Sequence, residues 1–150
     1  MANAKTSRQV KPGDVFAVPL RGKGYGFGRM LYQKGRWKLA EFFAFFSKEP
    51  AFSEQVLQAG RVLPVHNIVT LPIESGDWPV VQHRAPVEAD LGSLRFYRGL
   101  RGSRSYVSLD GTSGPLDEEL VWDMASSMPQ FPEYVSEQLW ERLQEQGLIE

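Results

Sequence analysis

The 150-residue sequence contains no cysteine and no long apolar run. The lack of cysteine excludes disulfide bridges, thiol nucleophiles and cysteine-based zinc sites. A membrane-spanning helix needs about 20 consecutive apolar residues, so none is expected. Residues 1–8 also lack the apolar core of a secretory signal. Together these absences predict a cytoplasmic protein of the reducing compartment that does not enter a membrane.

Histidine is scarce, and recognisable catalytic motifs are missing. His66 and His83 are the two histidines, and neither has a neighbour at metal-ligand spacing. The sequence has no G-x-S-x-G elbow and no complete phosphate-binding glycine loop. We therefore predict no catalytic residue, no metal and no cofactor. A small hydrolase remains a weaker alternative, and it requires one histidine within hydrogen-bond reach of a carboxylate in a pocket.

Apolar residues make up 42% of the chain, which excludes wholesale disorder. The length suits one domain, so we predict a disordered tail over residues 1–10 and a single domain over residues 11–150. Alternating and periodic patterns predict strands over 15–20, 25–32, 37–46, 61–73, 80–83, 94–97 and 105–109, a loop over 110–115, and helices over 53–58, 117–126 and 132–146.

The last helix has the clearest signals. Pro132 suits its first turn and Gly147 its end. It carries an apolar stripe of Val135, Leu139, Trp140 and Leu143. Strands first and one strong helix last predict an α+β fold. We expect a curled antiparallel β-sheet, or a small partly open barrel, with the C-terminal helix packed on it.

Charge is distributed unevenly although the net charge is only −1. Residues 1–38 carry a net +8, residues 39–94 a net −4, residues 95–104 a net +4, and residues 105–150 a net −9. Such polarity indicates either a surface for a charged partner or attraction between the two ends within the fold. Both alternatives stay open at this point.

The glycine-rich second strand allows a nucleic-acid interpretation. Lys23-Gly24-Tyr25-Gly26-Phe27 matches the first five positions of the RNP1 pattern. In this alternative Lys23, Tyr25, Phe27 and Arg29 bind single-stranded nucleic acid by charge and base stacking. It requires Tyr25 and Phe27 to be exposed. In the competing interpretation both aromatic side chains belong to the core and the glycines let the sheet bend.

Two stretches, Gly13-Asp14-Val15-Phe16-Ala17-Val18-Pro19-Leu20 and Gly24-Tyr25-Gly26-Phe27-Gly28-Arg29-Met30-Leu31, resemble the start of the immunity protein 26 family. Gly76-Asp77-Trp78-Pro79-Val80-Val81 resembles the family's later tryptophan-proline segment. The resemblance covers about residues 11–95. It implies a largely β fold and a non-catalytic bacterial immunity protein that binds and neutralises a cognate toxin of a polymorphic toxin system, commonly a nuclease. Related proteins are sometimes labelled phosphotriesterases, which fits this chain poorly because it lacks an evident metal-binding cluster.

The resemblance carries over no functional residues, so charge guides the choice of the toxin-binding surface. The acidic tail and a ladder of glutamates four residues apart on the last helix favour a basic toxin domain. The predicted toxin-binding residues are Asp117, Glu118, Glu119, Glu133, Glu137 and Glu141.

Overall fold

A computed structural model describes residues 9–88 and 91–149. The strands are β1 (Val15–Leu20), β2 (Gly24–Lys34), β3 (Trp37–Phe42), β4 (His66–Asn67), β5 (Val80–Gln82), β6 (Phe96–Arg98), β7 (Ser105–Val107) and β8 (Ser113–Pro115). The α-helices are α1 (Glu54–Gln58), α2 (Leu71–Ser75) and α3 (Pro132–Glu145), and 3₁₀ turns cover Leu91–Ser93 and Glu118–Asp123.

The first five strands form one antiparallel sheet in the order β4-β3-β2-β1-β5, and the last three form a second sheet in the order β6-β7-β8. Neither sheet closes on itself. The α+β prediction is confirmed, with a curled open sheet rather than a barrel. The C-terminal helix α3 packs on this sheet against β1.

The main core lies between the five-stranded sheet and α3. The predicted stripe of α3 is buried there. Phe16 of β1 stacks on Trp78 at 5.7 Å between ring centroids, and Phe42 of β3 packs edge-on against both rings. The tryptophan-proline segment therefore serves the core.

The glycines of β2 create room under this core. A Cβ on Gly26 would lie 2.6 Å from the Leu139 side chain, and a Cβ on Gly28 would lie 2.7 Å from the Phe16 ring. Real Cβ atoms essentially never come this close. The two glycines thus let α3 and Phe16 approach the sheet, which explains the alternation of glycine and aromatic residues better than bending alone does.

Several predicted boundaries are corrected. The third strand ends at Phe42 instead of residue 46. The predicted strand over residues 61–73 is replaced by the short strand β4 and the helix α2, which has Pro72 in its first turn. The predicted loop over 110–115 contains β8. The predicted helix over 117–126 is the 3₁₀ turn Glu118–Asp123 with Asp117 as its cap, whereas Ser53 caps α1 as expected.

Most of the predicted tail, residues 1–10, lies outside the described residues. Val10 is described and is buried with the main core. The single-domain organisation of residues 11–150 stays a prediction. Within the described part of the chain, no helix is long and apolar enough to cross a membrane.

Candidate functional site

A cleft of about 180 Å³ opens between the 3₁₀ turn Glu118–Asp123 and α3. The 3₁₀ turn contributes Val121 and Trp122 to the lining. His66 of β4 and Tyr97 of β6 also line the cleft. From α3 come Tyr134, Gln138 and Arg142. Segments far apart in the sequence therefore meet at this one place.

The wall formed by the 3₁₀ turn is tied to the second sheet. The Asp117 carboxylate accepts a hydrogen bond from the Glu119 amide at 3.1 Å and caps the turn. Arg104 of the β6–β7 hairpin donates to Glu118 at 3.2 Å, and its guanidinium lies 4.8 Å from the centre of the Tyr97 ring. Tyr97 in turn donates its amide to the Ala125 carbonyl at 3.0 Å. These contacts hold the wall in place without any partner.

The opposite wall is one side of α3. Tyr134, Gln138 and Arg142 are four residues apart, so they lie one above the other on the helix surface. Leu139 and Leu143 root the same helix in the core. The Arg142 guanidinium makes only a long 3.5 Å contact with the Val62 carbonyl and forms no ion pair with any described residue. It therefore supplies positive charge and hydrogen-bond donors to the cleft.

Two titratable groups of the cleft are shifted by their surroundings. Burial lowers the pKa of His66, and the nearby Arg142 lowers it further against the opposing effect of the Pro64 carbonyl. The His66 ring contacts that carbonyl through Nδ1 at 2.6 Å, so Nδ1–H is the donor. Burial also raises the pKa of the Tyr134 hydroxyl, with smaller contributions from Tyr97 and Glu141. At neutral pH the cleft therefore presents a neutral imidazole at His66 and a neutral phenol at Tyr134.

The six predicted acidic residues are all exposed and belong to the two elements that form the cleft walls. Glu118 pairs with Arg104, and Glu137 makes two hydrogen bonds to Arg21, at 2.6 and 3.1 Å. Arg21 also lies over the Trp140 ring at 4.8 Å. The basic N-terminal part and the acidic tail thus attract each other at Glu137. This agrees with the alternative in which the two oppositely charged ends of the chain interact within the fold.

Three of the other predicted acidic residues, Glu119, Glu133 and Glu141, have no ion-pair partner among the described residues. Glu119 lies on the 3₁₀ turn, whereas Glu133 and Glu141 lie on α3. Glu133 lines a separate groove with Leu71 and Trp78, while Glu141 lies close enough to Tyr134 to influence its pKa. Glu133 and Glu141 therefore have different neighbours although both belong to the glutamate ladder of α3.

The nucleic-acid alternative fails its own condition. Phe27 is fully buried beside Ala17, Phe43 and Val56, and Tyr25 is half-buried against the same cluster. Arg29 is held by Glu41 at 2.7 Å. Lys23 is exposed, but a lysine without stacking aromatics is not a base-binding platform. The prediction of a stacking surface on this strand is wrong because its alternate side chains pack inward.

The hydrolase alternative meets its condition only in part. His83 Nδ1 lies 2.8 Å from the Asp14 carboxylate, but the His83 side chain is 72% exposed and not enclosed in a pocket. His66 is enclosed, but its partner is the Pro64 carbonyl. Among the residues that the structure describes, no three histidine or carboxylate side chains are grouped to hold a metal. Neither histidine combines a carboxylate partner with a pocket.

Charge alone did not point to Trp122 and Tyr134, which form the aromatic rim of the cleft. Trp122 is 74% exposed, whereas Trp37, Trp78 and Trp140 are between 4% and 9% exposed. The available signal is the apolar triplet Leu120-Val121-Trp122 inside a strongly acidic segment. Such a triplet in so short a turn has little chance of being buried on all sides.

The fold defines the class first: an α+β protein with an open antiparallel sheet, a second small sheet and a C-terminal helix. A protein-family model described as Immunity protein 26 matches residues 11–107, which is more than half of the chain. The chain therefore belongs to the immunity protein 26 family, as its resemblance implied. No curated protein and no solved structure was found to match it.

Proposed function

We propose that the chain is a non-catalytic immunity protein that binds a basic toxin domain, commonly a nuclease, in the bacterial cytoplasm and blocks it sterically and electrostatically. Family membership supports the immunity role. The observation that supports the choice of surface is that the 3₁₀ turn with its cap and α3, the two elements on either side of the cleft, each carry three exposed carboxylates next to its lining. They are Asp117, Glu118 and Glu119 on the first and Glu133, Glu137 and Glu141 on the second.

An acidic surface of this kind mainly increases the rate at which the protein associates with a basic partner. Complementary charges accelerate association of two proteins, and the effect weakens with salt. Of the carboxylates that form no ion pair with a described residue, Glu119 of the 3₁₀ turn and Glu141, which lies near Tyr134, are the best placed for this role, whereas Glu133 lines a separate groove. Glu137 contributes less because Arg21 already neutralises it.

The first test isolates the tagged chain from the producing cells at low salt. We expect one stoichiometric basic protein, and co-expression of the chain should restore growth to a host that expresses that protein. Bound nucleic acid without a protein, or a partner whose toxicity the chain does not suppress, would contradict the proposed function.

The second test measures association kinetics with that purified partner. The double variant Glu119→Lys/Glu141→Lys should lower the association rate at low salt by about 10-fold or more, and the difference should shrink at high salt. Glu49→Lys is a control with the same charge change per site, on an exposed loop after β3. Equal rates for the double variant and this control would place the toxin elsewhere.

A further inference from the structure

Large apolar side chains that are exposed concentrate in one short part of the chain. Eight are exposed among the described residues, and five of them fall within residues 120–134: Leu120, Trp122, Met128, Phe131 and Tyr134. Single exposed apolar residues are normal, but a cluster rimmed by polar groups marks an interaction site. Two of these five, Trp122 and Tyr134, line the cleft between the 3₁₀ turn and α3.

The composition of this cluster is that of an interface centre. Tryptophan, tyrosine and arginine are the residue types that most often carry binding energy at protein interfaces. Trp122 and Tyr134 belong to opposite walls of the cleft, and Arg142 lines it on the same wall as Tyr134. The cleft volume of about 180 Å³ suits one large side chain rather than a small-molecule ligand, whose sites are roughly 300 Å³ or larger.

The cleft is also formed in advance. Arg104 ties one wall to the second sheet through Glu118 and Tyr97, and the buried stripe of α3 fixes the other wall. A surface that is ordered before binding loses less conformational entropy when its partner arrives. The exposed acidic residues of the 3₁₀ turn and α3, which flank the cleft, favour a positively charged partner over a nucleic acid.

We infer that this cleft is the anchor pocket of the toxin interface, and that a large apolar side chain projecting from a basic surface of the toxin inserts between Trp122 and Tyr134. The inference rests on the proposed function and adds a division of roles. The two aromatic side chains set how slowly the complex dissociates, whereas the carboxylates around them set how quickly it forms.

The test uses the purified toxin that the wild-type chain neutralises as its probe. Trp122→Ala and Tyr134→Ala should each raise the dissociation rate by about 10-fold or more while changing the association rate little. Leu100→Ala is the matched control, because Leu100 is 81% exposed but lies on the β6–β7 hairpin outside the cluster. Trp122→Phe retains an aromatic ring and should fall between the wild type and Trp122→Ala.

A second readout follows Trp122 directly. The chain is labelled with 5-fluorotryptophan, and Trp122→Phe identifies the resonance of the one exposed tryptophan. Unlabelled toxin should shift the ¹⁹F resonance of Trp122 because binding removes this side chain from solvent. The resonances of the three buried tryptophans should change much less.

The outcomes separate the two ideas. If the wild type does not bind the toxin, both the proposed function and the anchor pocket are contradicted. If the wild type binds but Trp122→Ala dissociates like Leu100→Ala and the ¹⁹F resonance stays unchanged, only the anchor pocket is overturned. A ¹⁹F shift that depends on the concentration of the chain alone, together with a dimer in light scattering, would assign the cleft to a second copy and also overturn it.

Discussion

The part of the chain that follows the family match exposes more large apolar side chains than the matching part: of the eight exposed among the described residues, six lie beyond residue 107. Within residues 11–107, Trp78 is buried against Phe16 and Phe42. Beyond residue 107, Trp122 of the 3₁₀ turn stands in solvent. The family motifs therefore identify a scaffold, and the surface that we propose for binding lies mainly on elements outside them.

Both regions depend on the same helix. The buried side of α3 completes the core through Leu139 and Leu143, and its other side forms one wall of the cleft. Substitutions can therefore separate the two roles of the molecule: core positions should change the free energy of unfolding, and cleft positions should change binding alone.

The largest expected effect is on stability. Phe16→Ala removes a fully buried ring that contacts Trp78 and Phe42 and should lower the free energy of unfolding by about 3–5 kcal/mol. Trp122→Ala removes a ring that is mostly exposed and should change it by less than about 0.5 kcal/mol. Urea denaturation measures both, and similar costs for the two variants would contradict the separation of scaffold and cleft.

A smaller effect concerns His66, which belongs to the scaffold strand β4 and also lines the cleft. Burial holds its pKa in the folded protein below the ordinary value of 6.5. On acidification the unfolded chain therefore takes up a proton first. The contribution of neutral His66 to stability is present above pH 6.5 and is lost as the pH falls through 6.5 toward the lower folded value.

The urea midpoint of the wild type should accordingly fall between pH 7.5 and pH 5.5 by more than that of His66→Gln. The glutamine amide is a matched replacement because it also donates a hydrogen bond to a carbonyl such as that of Pro64. Parallel pH profiles for the two proteins would show that His66 is not buried as described.

The smallest effect is local to the exposed ion pair of Arg21 and Glu137. The hydrogen bond from Arg21, together with its charge, lowers the pKa of Glu137 below its ordinary value of 4.5. Arg21→Ala should raise this pKa, as followed by the carboxyl carbon shift in NMR, whereas Arg36→Ala should leave it unchanged. The pair adds stability above the ordinary pKa of the carboxyl, and this is lost as the pH falls through the lowered folded value.

Patterns local to one segment predicted much of the scaffold. The three-strand meander and α3 follow from alternation, glycine turns and helix-end signals. The stretch over residues 61–73 was misassigned because its Val, Leu and Ile residues suggest a strand, whereas Pro72 lies in the first turn of α2. β8 has no strand-favouring residue: it forms by pairing with β7, and the Tyr106 ring covers Gly114 so closely that a Cβ there would lie 2.7 Å from it.

The candidate site was predicted only as far as charge allows. The six acidic residues chosen by charge are exposed, and their role in toxin binding stays a prediction. A linear sequence does not show that the 3₁₀ turn and α3 face each other across a cleft. An exposed tryptophan also looks the same in sequence as a buried one. Trp122 and Tyr134 are distinguished only by what packs around them, and that is decided by segments more than 20 residues away, such as His66 and Tyr97.

On the far side of the sheet from α3, the Glu41 carboxylate holds two guanidinium groups at once, with Arg29 at 2.7 Å and Arg61 at 2.9 Å. Glu41 is buried, and Arg29 is only 17% exposed at its side chain. Losing Glu41 alone would leave both cations facing each other without a counter-ion, whereas losing one arginine would still leave the carboxylate a partner. The order of substitution therefore matters: one arginine can be replaced first, because Glu41 keeps the other as its counter-ion, whereas replacing both arginines before Glu41 would leave a buried carboxylate unpaired.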